Sequence, residues 1–446
     1  MSGDDRDDRG RDDRGRAVPH SRLARLGQFG RLAGGIAGGM VAEGARRLGQ
    51  GERPRLRDML LTPGNAMRLA DRLSHLRGAA MKLGQMISMD AGDMLPPELA
   101  VIMARLRNDA HHMRPDQLQR VLAAEWGPGW RTRFSRFDPR PMAAASIGQV
   151  HRATTRDGRD LAIKVQYPGV RESIDADVDN VAILLRVSGL LPAGLDIAPL
   201  LAEAKQQLAE EADYEREGAQ MTRFGALLAD MPEVVVPVLD PALTTSRVLA
   251  MDFIEGRPIE SLEDAPQAQR DSAARTIIAL VLRELFEFGL MQTDPNFANY
   301  RYQQDSGRIV LLDFGAARSV GPEVAENYRR LLRSGLAGNR GAVRDAAVAA
   351  GFLGADAVAR HAARIDAIID IILREMNRDG PFDFGDRQFV GLLRDDGMAI
   401  AQDRAAWHVP PADVLFIQRK ISGTALLAAR LRAKVDVREM VLPWLA

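Results

Sequence analysis

A short stretch two-thirds of the way along the chain constrains it most. Gln292-Thr-Asp294-Pro-Asn-Phe-Ala-Asn299-Tyr300 is followed, after a turn-rich spacer, by Ile309-Val-Leu-Leu-Asp313-Phe314-Gly315. Asp294 and Asn299 stand five apart, and a β-like apolar run delivers Asp313 nineteen residues after Asp294. Asn299 and Asp313 offer hard oxygen donors of the kind Mg²⁺ prefers. Asp294 adds a carboxylate able to orient, or accept the proton of, an attacking hydroxyl or water. Metal-neutralised oxygens and an oriented nucleophile are what displacement at phosphorus requires.

The spacing D-x-x-x-x-N, a strand and a DFG turn together match the catalytic loop and metal turn of protein kinases. The cationic half of such a site lies upstream. Lys164 sits in Leu161-Ala-Ile-Lys164-Val165, close to the V-A-I-K of a kinase third strand, whose lysine holds nucleotide phosphates. Its carboxylate partner on the following helix is open between Glu211, Asp213 and Glu217 in EEADYEREG, with Glu203 a poorer candidate. In register with Lys164, the phosphate-loop positions of G-x-G-x-x-G-x-V are occupied by Ala143, Ala145, Gly148 and Val150, with Ala144 and Ser146 between. An alanine Cβ disfavours the positive φ that lets a glycine loop close tightly over phosphates. Met251, in the strand-like SRVLAMDFIEG, is grouped with these nucleotide-binding positions. After Asp313 the chain reads GAARSVGPEVAENYRRLL and enters a helix almost at once, leaving no long activation segment to support a peptide substrate.

Only five of the 60 basic residues are lysine: Lys82, Lys164, Lys205, Lys420 and Lys434. In an arginine-dominated chain, a lysine inside a motif marks a place for a compact ammonium that a planar guanidinium does not fill. Basic and acidic residues balance at 60 each, so the excess of positive charge expected of a nucleic-acid binder is missing. The absence of cysteine excludes disulfides, thiolate metal sites and a cysteine nucleophile.

The order of elements places these residues. The first sixteen residues alternate Asp and Arg with Gly and read as a disordered, solvated tail, assigned to 1–20. Between Arg31 and Glu43 the chain is uncharged but shorter than the roughly 20 apolar residues of a membrane span. Gly30, Gly34 and Gly38 recur four apart there, which suits either a glycine-rich linker or a membrane-surface helix able to dimerise through its small-residue face. Residues 21–135 are assigned to a helical N-terminal extension, 136–255 to a strand-rich lobe with an inserted helical stretch, and 256–446 to a mainly helical lobe. VVVPVLD and SRVLAMDFIEG are expected to complete a five-stranded sheet in the first lobe. The stretch after about residue 355 shows helical periodicity and is taken as scaffold. The expected class is α+β, a two-lobed protein-kinase-like fold.

The chain resembles the UbiB family of atypical kinases, most closely its branch tied to coenzyme Q biosynthesis. The resemblance rests on Lys82-Leu-Gly84-Gln85, the alanine-rich Ala143-Ala-Ala145-Ser146, Glu211-Ala-Asp213 and Asp294-Pro-Asn-Phe-Ala-Asn299. It implies that the N-terminal extension covers the active site, with Lys82 and Gln85 facing Glu211 and Asp213 as a regulatory pair of motifs, and that Glu217 pairs with Lys164. It implies binding of ATP or ADP with Mg²⁺ or Mn²⁺, slow or conditional ATP hydrolysis, association with membrane lipids and support of ubiquinone biosynthesis with its intermediates or proteins; the expected location is peripheral on the cytoplasmic side of a bacterial inner membrane, or cytoplasmic. The sequence departs from many relatives in reading Asn296-Phe297-Ala298 where they carry His-Pro-Gly. Two activities fit: an ATPase or small-molecule kinase, or a nucleotide-sensing pseudokinase that holds or extracts lipid intermediates. A protein kinase acting in trans fits less well.

Overall fold

The computed structural model describes residues 112–187, 198–386, 388–403, 408 and 410–445. The charged tail, the glycine-rich segment at 30–44 and the motif of Lys82, Gly84 and Gln85 lie outside the described residues. The described chain divides into two compact units. One comprises residues up to Gly218 with Leu239–Phe253, the other Ala219–Val238 and everything from Ile254.

The first unit opens with α1 (Pro115–Trp126), whose proline stands at the helix start, where its missing N–H costs no intrahelical bond. Strands β1 (Phe134–Phe137), β2 (Ala143–Ala144), β3 (Gly148–Thr155), β4 (Asp160–Gln166) and β6 (Val248–Asp252) form an antiparallel sheet. Its order is β1-β3-β4-β6, with β2 paired to β3. The Asp157–Gly158 turn joins β3 to β4 with Gly158 at φ +89°, a conformation that glycine adopts without steric cost. Helices α2 (Ile174–Val187), α3 (Ala198–Glu211) and α4 (Tyr214–Leu227) follow, the last belonging to this unit only through Gly218.

One apolar face of the sheet meets an aromatic cluster. Trp126, Trp130 and Phe134 pack with Leu161, Ile163, Val165, Val248 and Ala250, and the Trp126 indole donates to the Leu243 carbonyl at 2.9 Å. Residues between 113 and 134 therefore share a core with the strands that follow them. Helix α1 carries its apolar residues at helical spacing, and only the strands give that face something to bury against.

The sheet differs from expectation in one strand. VVVPVLD supplies no strand to it beyond a bridge between Leu239 and Met251. Its β5 (Val234–Val235) instead pairs in parallel with a strand of the second unit. Pro237 cannot donate to a ladder and Val238 is exposed, so the apolar run is too broken to serve as a central strand.

A relay of hydrogen bonds fixes a buried histidine on β3. The Met113 amide donates to Gln149 Oε1 at 2.7 Å, so the Gln149 amide nitrogen must donate to His151 Nε2 at 2.8 Å. His151 Nδ1–H then donates to the Asp138 carbonyl at 2.9 Å. This arithmetic assigns the neutral tautomer, because a proton on Nε2 would face another donor. Burial, reinforced by the nearby His112, holds the His151 pKa below its ordinary 6.5 against the opposing pull of Asp138. The unfolded chain thus binds the proton more readily than the folded one. The stabilisation is complete above pH 6.5 and is lost as pH falls toward the depressed folded value. Chemical denaturation at stepped pH should show wild type losing stability faster than His151→Gln over that window.

The second unit holds two small ladders. In one, β5, β10 (Ile309–Leu311), β9 (Tyr300–Tyr302) and β7 (Arg257–Pro258) lie side by side, with Leu311 opposite Tyr300. In the other, β8 (Leu290–Gln292) pairs antiparallel with β11 (Ala317–Ser319), Ala317 opposite Gln292. Helix α5 (Gln267–Arg283) widens into a π-helical turn over Glu284–Phe288, closed by Gly289 at φ +56°. Helices α6 (Pro322–Leu336), α7 (Arg340–Ala349) and α8 (Ala355–Met376) follow. Strand β12 (Phe382–Asp383), α9 (Gln388–Gln402), α10 (Ala412–Arg430), β13 (Lys434–Val435) and α11 (Val437–Val441) complete the unit. Val281, Leu285, Met291, Val320, Tyr328 and Ile417 form the core behind β8. Among the described residues no helix is long and apolar enough to cross a membrane.

Candidate nucleotide site

In the first unit the site is built on β4, which lies between β3 and β6 rather than at an edge. Alternation along this strand sends Ile163 and Val165 into the aromatic core, and Lys164 and Gln166 to the opposite face. Lys164 is 8% exposed, and a buried ammonium needs a counter-charge. Glu217, on the first turns of α4, supplies it: both carboxylate oxygens lie 2.9 Å from Lys164 Nζ, and Glu217 is only 1% exposed. The Tyr214 ring adds a cation–π contact at 5.0 Å.

The competing carboxylates have other tasks. Asp213 caps α4, its Oδ1 accepting from the Arg216 amide at 3.0 Å, the position where a short acidic side chain satisfies a helix-start N–H. Glu211, at the end of α3, accepts from the Ser146 hydroxyl at 2.9 Å. The turn between α3 and α4 is pinned to the sheet by Gln166, whose amide donates to the Ala212 carbonyl at 3.0 Å.

The alanine-rich loop is a hairpin. Ala143 pairs with Val150 and Ala144 with Gln149, while the Ala145 amide donates to the Gly148 carbonyl at 2.9 Å. Gly148 is dictated by close approach. A Cβ there would stand 2.5 Å from the Val165 carbonyl oxygen and 2.9 Å from the Tyr214 hydroxyl. Met251 is buried on β6 opposite Ala162.

In the second unit, residues 294–299 lead from β8 in one ladder to β9 in the other. Thr293 anchors the start, its amide and hydroxyl both donating to the Ala316 carbonyl, at 3.1 and 2.8 Å. Asn296 caps the short turn Phe297–Asn299 by accepting from the Ala298 amide. The Asn299 amide nitrogen reaches the Asp294 carbonyl at 3.4 Å, which leaves its amide oxygen as the atom for a hard cation. The Leu312 amide donates to the Asn299 carbonyl at 3.0 Å and so ties Asn299 to the residue before Asp313. Asp313 Oδ1 accepts from the Gly315 amide at 2.9 Å, and Phe314 is buried against Phe224 with ring centroids 5.3 Å apart. An amide oxygen and one carboxylate suit Mg²⁺, which draws its remaining ligands from phosphates and water.

The residues matched by sequence thus fall into two sets: Ser146, Gly148, Lys164, Glu211 and Glu217 in the first unit, Asp294, Asn299 and Asp313 in the second. A model of the ABC1 atypical kinase-like domain matches residues 105–347, which contain all of them. The chain belongs to this family. The atypical kinase COQ8 of Saccharomyces cerevisiae mitochondria is 38% identical over 95% of this chain and 85% of its own length. The mitochondrial atypical kinase COQ8B of Rattus norvegicus is 37% identical over 96% and 81%. Among solved structures, Rv3197 of Mycobacterium tuberculosis, determined with erythromycin, superposes with a TM-score of 0.61 at 27% identity. That match covers 84% of this chain and 94% of Rv3197. The fold is protein-kinase-like, mixed α and β, as the order of elements led us to expect.

Sequence reasoning missed one group. Lys420, on α10 in the stretch read as scaffold, is 1% exposed and contacts Gln292 and Tyr300, on either side of the loop that carries Asp294. Its signal was the scarcity of lysine, which had already drawn attention to Lys82 and Lys164.

Proposed function

We propose that this ABC1-family chain binds ATP or ADP with Mg²⁺ and turns ATP over, as an ATPase or small-molecule kinase serving isoprenoid-quinone biosynthesis at a membrane surface. The observation that carries the nucleotide reading is the bidentate pairing of Lys164 with Glu217. A central-strand lysine held this way has a fixed position, the arrangement by which kinases hold nucleotide phosphates. Asn299 and Asp313 would hold the metal, which neutralises phosphate oxygens when bound. Asp294 orients or deprotonates the attacking hydroxyl or water. The quinone and membrane assignments follow the UbiB resemblance and the mitochondrial COQ8 relatives. In this reading Lys82 and Gln85 face Glu211 and Asp213 and limit access, and the chain attaches peripherally on the cytoplasmic side of the membrane.

One observation favours a second reading, a nucleotide-sensing pseudokinase that holds or extracts lipid intermediates. The alanine hairpin commits the Ala145 amide to Gly148, and Ser146 donates to Glu211, which limits how closely the loop closes over phosphates. Steady-state phosphate release with quinone-precursor-containing vesicles separates the two. Wild type should turn over ATP, and Asp294→Asn should lose at least about 10²-fold in kcat while keeping its affinity for Mg·ADP. Nucleotide binding without Asp294-dependent turnover would favour the pseudokinase.

A further inference from the structure

Helix α10 grips the Asp294 loop before, within and after its reactive residues. Lys420 Nζ lies 3.2 Å from Gln292 Oε1 and 3.0 Å from the Tyr300 hydroxyl. Gln292 stands two residues before Asp294, and Tyr300 directly follows Asn299. Three residues on, along the same helix face, Gly423 has no side chain because Pro295 occupies the space. A Cβ there would stand 2.2 Å from the Pro295 Cβ. The Arg430 guanidinium, two turns further along, lies over the Phe297 ring with its centroid 5.7 Å away.

A buried carboxylate completes the grip. Glu284, on the π-helical turn, accepts from the Gln292 amide at 3.1 Å and lies 3.4 Å from Lys420 Nζ. Both residues are essentially fully buried. Burial opposes the Lys420 charge, but Glu284 and Tyr300 override it and raise its pKa. Buried pairs of this kind add little stability compared with apolar residues of the same shape. What the pair supplies is geometry: one ammonium addresses a carboxylate, an amide oxygen and a hydroxyl from both ends of one loop. A point-like ammonium does this where a planar guanidinium would not, which accounts for lysine in a chain whose basic residues are mostly arginine.

We infer that Lys420, with Glu284 and Gly423, is a positioning residue that holds the Asp294–Asn299 loop in register for phosphoryl chemistry. The inference rests on the reading of that loop as catalytic, while its structural half can be measured without it.

The test uses the full chain as Lys420→Met, Lys420→Met/Glu284→Gln and Gly423→Ala. The double variant avoids a lone buried carboxylate, and Gly423→Ala should keep α10 helical while pushing Pro295 aside. Backbone hydrogen exchange should accelerate across 290–302 and not in the β3–β4 hairpin. The kcat for Mg·ATP should fall about 10²-fold with KM within about threefold, since a displacement near 1 Å costs that much. Added to Asp294→Asn, Lys420→Met should cost no further kcat, because both act through one group. Unchanged exchange in 290–302, a loss confined to KM, or a full additional loss on Asp294→Asn would overturn the inference. If wild type shows no turnover, the nucleotide-enzyme reading fails, and the exchange data alone decide whether α10 positions the loop.

Discussion

Glu217→Ala is expected to destabilise the unit that carries it by about 3–5 kcal/mol, the usual cost of removing one member of a buried ion pair. The Lys164 ammonium would then lose both of its 2.9 Å bonds to Glu217. The companion Lys164→Met/Glu217→Leu removes both charges and fills the volume, so its stability should return to within about 1–2 kcal/mol of wild type. Nucleotide affinity should not return with it. Denaturant melts of the three proteins check the first half, and titration with ADP checks the second. A double variant that is stable and still binds nucleotide normally would reduce the pair to a packing feature.

Asp313→Asn should abolish metal-dependent stabilisation by nucleotide. A ligand that binds only the folded state at about 100 times its dissociation constant contributes about 2.7 kcal/mol, and wild type should show a rise in Tm of that origin with Mg·ADP. The variant keeps the size of the side chain, and Oδ1 can still accept from the Gly315 amide, now at 2.9 Å. It loses the charge that a divalent cation needs beside Asn299. Its Tm without ligand should therefore match wild type, and its response to Mg·ADP should vanish. A thermal-shift titration with and without Mg²⁺ reads both. A metal-dependent rise that persists in Asp313→Asn would remove Asp313 from the metal site.

The comparison of Lys164 and Lys420 shows why one was legible and the other was not. Lys164 stands in a local pattern of strand residues, with the phosphate-loop positions in fixed register upstream, so type and spacing announce it. Lys420 stands on an amphipathic helix with no neighbouring motif, and its partners Gln292 and Tyr300 are 128 and 120 residues away in sequence. Gly423 is equally silent, because a helical glycine declares a close neighbour only when Pro295 is seen against it.

The sequence by itself determined the chemistry on offer: a carboxylate and an amide five residues apart, a DFG turn after a short strand, a lysine on a strand and an alanine-rich loop. These are local, and local spacing survives in one dimension because short turns and strands have few alternative geometries. Only the tertiary structure decided among groups that look alike along the chain. It gave Lys164 to Glu217 while Asp213 capped a helix and Glu211 met Ser146. It moved VVVPVLD out of the first sheet, and it turned a helix taken for scaffold into the support of the Asp294 loop. Each choice was made by burial, which forces a charge to find its partner and a proline to find its gap wherever in the sequence they lie.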